Sequence, residues 1–125
     1  MNADWQELQT WAEQEVQQTL RGLPGPLREK AGAVTVTFEE RPNAEQIQDG
    51  IESDTLGLFV GCEYSIEGMS DSPLPPQIIL YLRNLFEFAE ESEEYFREEV
   101  RTTYMHELGH YLGLDEDDLF DRGLD

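Results

Sequence analysis

Cations are scarce in this chain. Lys30 is its one lysine among 8 basic residues, set against 28 acidic ones, for a formal net charge of −20. A surface of that sign repels phosphate backbones, which argues against a nucleic-acid partner and favours cations and basic peptide segments. Cysteine is nearly absent too. Cys62 stands alone, so no intrachain disulfide can form and nothing points to an oxidising compartment. No apolar run approaches the ~20 residues of a membrane span. The opening stretch NADWQELQTWAEQEV is acidic and amphipathic, unlike a secretory signal. The expected location is therefore cytoplasmic, away from membranes. Aromatic and aliphatic residues remain too plentiful for disorder, and at 14.4 kDa one domain spanning residues 1–125 with a small core is expected.

Periodicity supplies the elements. Trp5, Leu8, Ala12, Val16 and Leu20 recur at helical spacing, which predicts a helix over residues 4–21. Asp4 and Glu7 resemble a capping box, and Gly22 with Pro24 supplies the stop. Leu27 to Ala31 fit one or two further helical turns. From Ala33 to Glu39 the chain alternates, with Val34, Val36 and Phe38 on one face, and Arg41-Pro42 closes this strand. A short helix is expected at residues 44–48, a second strand at 56–60, a loop at 63–76 and a third strand at 77–82. A helix over 83–89 follows. Ser92 then reads as the N-cap of a long helix from Glu93 to Leu112, with Glu93 and Glu94 favourably placed in its first turn. The order implies a compact α+β domain: a small sheet packed with an N-terminal helix and a long C-terminal helix.

The chain has only two histidines, His106 and His110, and both lie on that last helix. The segment reads HELGHYLGLDE from His106 to Glu116. Residues four apart on a helix share a face, so the two imidazoles can bind one Zn²⁺ while Glu107 takes a proton from a water beside it. Val100, Tyr104, Leu108 and Tyr111 form an apolar stripe suited to the sheet, and Thr103, His106 and His110 are expected on the opposite side. Gly113 can end the helix and turn the chain, bringing an acid back toward the metal. Register favours Glu116 as the third ligand, with Asp115 and Asp117 as its neighbours in contention; Asp115 is instead suited to capping a final short helix. Two imidazoles and one carboxylate leave an open fourth position. The chemistry this fits best is amide hydrolysis, with Glu107 as general base and then acid. Tyr64, Tyr104 and Tyr111 are candidates for stabilising the oxyanion.

The extended HExxHxxGxx[DE] motif resembles the zincins, and the whole chain resembles the small bacterial zincin-like metallopeptidases, or minimal zincins. The turn Leu23 to Arg28, the strand leading into FEERP, the segments GLFVG and QIILYLRNLFEFA, and the terminal HELGHYLGLDEDDL occur in matching order. That resemblance implies a compact α+β fold, a zinc ion held by His106, His110 and Glu116, Glu107 as general base, and a peptide or protein substrate. Metzincins place histidine, or sometimes aspartate, where Glu116 stands.

With no larger lower wall to shape a pocket, substrate selection is expected to rest on residues 63–76 and on strand addition along the edge of residues 77–82, unless that strand is central. An alternative is a zinc-binding interaction domain without turnover, in which Glu107 has no task. A metal-dependent RNA endonuclease shares an HxxxHxxG layout but uses a later third histidine, missing here. Cys62 reads as a core residue, with a fourth ligand or inhibitory thiolate as the alternative.

Overall fold

The computed structural model describes residues 3–61 and 76–112. Helix α1 (Trp5–Arg21) opens where the Asp4 side chain accepts the backbone N–H of Glu7 at 2.8 Å, and it buries Leu8, Ala12 and Val16. Helix α2 (Gly25–Ala31) starts two residues earlier than its pattern suggests, because Pro26 fits the first turn of a helix. Strand β1 (Thr35–Glu39) and helix α3 (Ala44–Gln48) follow. A full capping box between Asn43 and Gln46 stabilises α3 despite its five residues. Strands β2 (Gly57–Val60) and β3 (Gln77–Tyr81) lead into helix α4 (Leu82–Phe88) and the 20-residue helix α5 (Glu93–Leu112). The hydroxyl of Ser92 accepts the N–H of Tyr95 at 3.3 Å, as an N-cap does.

The sheet order is β1-β3-β2. β3 pairs in parallel with β1, in register Thr35 to Gln77, and antiparallel with β2, in register Gly57 to Leu80. This corrects the expected free edge at residues 77–82: β3 is the central strand, with both edges occupied, and Leu82 already belongs to α4. Its unbroken apolar run has the same cause. Ile78 and Leu80 join the main core, while Ile79 and Tyr81 are buried on the other face. There the Tyr81 hydroxyl donates to Gln46 Oε1 on α3 at 2.9 Å. A strand buried on both faces loses its alternation.

Helices α5 and α4 cover the main face, and α1 packs on both of them. Trp11, Phe86 and Phe96 meet as a cluster of rings with centroids 5.8–6.5 Å apart. Phe96, Val100, Tyr104 and Leu108 of α5 are fully enclosed, each contributing roughly 1.5–3 kcal/mol by area removed from water. Two polar devices reinforce this packing. Glu15, 5% exposed, accepts from Arg97 at 3.0 Å and from Arg101 at 3.2 Å, tying α1 to α5. Asn84, also buried, donates to the carbonyls of Ser53 and Thr55 at 2.8 and 2.9 Å and accepts from Arg41. It thereby fixes the segment that feeds β2. Between α4 and α5 the chain turns through Glu90 and Glu91, both left-handed at φ 58° and 60°.

Candidate active site

The histidine-bearing end of α5 lies against β2. A Cβ at Gly57 would stand 2.6 Å from Thr103 Cγ2 and 3.4 Å from Glu107 Cγ, so glycine is what lets the strand backbone settle on the helix. Two residues further along β2, the Phe59 ring packs 5.9 Å from that of Tyr111. β2 and α5 therefore run in the same direction. Thr103, expected on the histidine side, is buried under this strand. Sequence reasoning missed Gly57, although a glycine opening an otherwise apolar strand is the signal of close backbone approach.

His106 and His110 are both exposed, with ring centroids 4.8 Å apart. One helical turn separates them, so their rings share the same patch of surface. Glu107 is different. One residue on from His106, it rotates about 100° around the axis and lies buried beside Gly57 at 8% exposure. Its Oε1 is 3.6 Å from Nδ1 of His110. The site thus pairs two accessible imidazoles with a shielded carboxylate at the strand side.

Among the described residues no cluster of three or more histidine, cysteine or acidic side chains is placed to hold a metal. Glu116, with Asp115, Asp117 and Gly113, lies outside the described residues, as do Cys62, Tyr64 and residues 63–75 of the expected loop. Of the tyrosines considered for the oxyanion, Tyr104 is enclosed in the core on the far face, where burial pushes its phenol up to about 12. That removes it from the cleft. Tyr111 is buried against Phe59.

The donor chemistry fits zinc: imidazole is a common nitrogen ligand of that ion, and two imidazoles here lie side by side on one exposed face. A profile of zincin-like metallopeptidases matches residues 31–124. The chain belongs to the zincin-like metallopeptidase family. The match begins at the end of α2 and includes the sheet, α4 and the whole of α5, so membership rests on the scaffold as well as the motif. A search of curated proteins found no match. No described helix is long and apolar enough to cross a membrane.

Proposed function

We propose that this protein is a zinc-dependent peptidase in which His106, His110 and Glu116 hold the metal and Glu107 is the general base. One observation carries this reading: exposed imidazoles with centroids 4.8 Å apart, flanked by a buried carboxylate 3.6 Å from His110. Zinc, when bound there, lowers the pKa of water toward 7 and polarises a carbonyl. Glu107 accepts the proton of the attacking water and delivers it to the leaving amine. Burial suits that task, since β2, close to Glu107 at Gly57, helps to shield the side chain from bulk water. Glu116, three residues beyond Gly113, completes the ligand set in this reading.

The strand that presents substrate is then β2 rather than β3. Among the described residues β2 bonds to β3 through one edge and to no strand at the other, and it runs alongside the histidine helix, so an extended peptide added at that second edge passes the imidazoles and Glu107. The shared apolar core of α1, the sheet, α4 and α5 supports a single domain across the described residues. The charge of −20 favours peptides over nucleic acids as substrates.

Copurified-metal analysis and a peptide-library digest test this together. Wild type should carry about one zinc per chain and cleave. His106→Ala and Glu116→Ala should lose metal. Glu107→Gln should keep zinc while cleavage falls at least ~10²-fold. Unchanged zinc in Glu116→Ala would dismiss that ligand. Full zinc without cleavage in wild type would instead favour an interaction domain in which Glu107 has no chemical task.

A further inference from the structure

The exposed face of α5 continues beyond the histidines toward the helix N-terminus. At about 100° per residue, Tyr95, Glu99, Thr102, His106 and His110 fall within roughly 80° of arc. All of them are exposed except Glu99, which is half-buried. At the N-terminal end of this stripe an open cavity of about 300 Å³ is lined by Phe88, Ala89, Glu90, Tyr95 and Glu99. Phe88 is 61% exposed and Tyr95 56%, a large aromatic surface left to water in a small protein. Two carboxylates border those rings. Arg97 and Arg101, the cations of α5, are engaged on the opposite side with Glu15.

Aromatic faces beside carboxylates are the complement of a guanidinium or ammonium group, which gains cation–π attraction and charge-assisted hydrogen bonds together. The spacing along the helix is equally informative. Glu99 lies about 10 Å and Tyr95 about 16 Å from His106 at 1.5 Å rise per residue. An extended peptide covers those distances in about three to five residues.

We propose that this cavity is a remote substrate subsite for an arginine or lysine side chain located about three to five residues from the scissile bond. The offset rests on the peptidase reading above; the binding of a basic side chain does not. Substrates are thereby narrowed to peptides with a basic residue at a fixed distance from the cut, consistent with the protein's excess of negative charge.

The test uses a neutral extended peptide with one arginine walked along its length, and the same series with citrulline, which keeps the shape and loses the charge. Binding to zinc-loaded Glu107→Gln protein is followed by fluorescence anisotropy, and cleavage by wild type is read by mass spectrometry. The arginine peptides should bind about tenfold tighter than the citrulline ones. Phe88→Ala and Glu99→Gln, with unchanged thermal melting, should erase that preference. Cuts should appear at a constant offset from the arginine. Equal binding of both series, or a preference that survives both variants, overturns the subsite. So does cleavage indifferent to the arginine's position, which would leave the peptidase reading standing. An arginine preference that depends on Glu99 and Phe88, with no cleavage by wild type, would uphold the basic pocket and sink the peptidase reading instead.

Discussion

The two halves of α5 are built on different principles. Toward its N-terminus the helix is bound from the side: Phe96 interlocks with Trp11 and Phe86, and Arg97 and Arg101 grip the buried Glu15 of α1. Toward its C-terminus it holds no such clamp among the described residues. A strand backbone lies directly on it at Gly57, and both imidazoles face outward. The anchored half sets the rotation of the helix, and a rigid helix transmits that rotation to His106, Glu107 and His110. Placing chemistry on a regular element supported elsewhere gives precision without crowding the reactive groups.

If the first half is the anchor, Glu15→Ala should have the largest effect on stability, about 3 kcal/mol. That is the lower end of the range for breaking a buried pair, because both arginines keep some contact with water. Urea unfolding measures it. A loss below about 1 kcal/mol would mean that the rings alone secure the helix.

At the other end, Gly57→Ala should cost about 1–3 kcal/mol by overpacking against Thr103. It should also reduce cleavage through displacement of β2 from Glu107. Gly25→Ala is the natural comparison, since a Cβ there meets nothing within 4 Å. It should be neutral or slightly stabilising in the same denaturation experiment.

Tyr104 sits where the two halves join, and its burial predicts a pH response. Its phenol ionises near 10 when unfolded and near 12 when folded. Stability from the buried neutral phenol is complete below the unfolded value and is lost as pH rises through the folded one, by up to ~2–3 kcal/mol. Tyr104→Phe should therefore flatten the alkaline fall in urea midpoint.

The smallest effect belongs to the exposed ion pair of Arg41 and Glu87. The Arg41 hydrogen bond lowers the Glu87 carboxyl below its ordinary range. Its contribution is thus present at neutral pH and lost as pH falls through that depressed range. Both side chains are exposed, so Glu87→Gln should shift acid melting only slightly, and less still in high salt.

These contrasts also explain what could be read from the residues. Local periodicity marks α1 and α5 because each has one wet face and one dry one. The caps at Asp4 and Ser92 are legible because each lies three residues from the N–H it binds; the one at Asn43 carries the same local signal and was missed. The histidine pair is legible for the same reason, as helix geometry alone brings His106 and His110 together. Glu15 was invisible because its partners lie 82 and 86 residues away, and it borders the apolar stripe of α1 as an apparent surface acid. Asn84 was equally hidden. The placement of β3 depended on pairings between distant segments, and its continuous apolar run fitted a central strand as well as an edge one.

That central strand has a consequence for how the molecule comes into being. In the described sheet, β1 and β2 bond only to β3, which follows both of them in the sequence. A chain emerging from the ribosome carries two orphaned strands until Gln77–Tyr81 appears, and one late segment then recruits both. Assembly of the sheet and placement of the histidine helix thus wait on that later segment, because non-local pairings reward the chain only after the intervening residues have been closed into a loop.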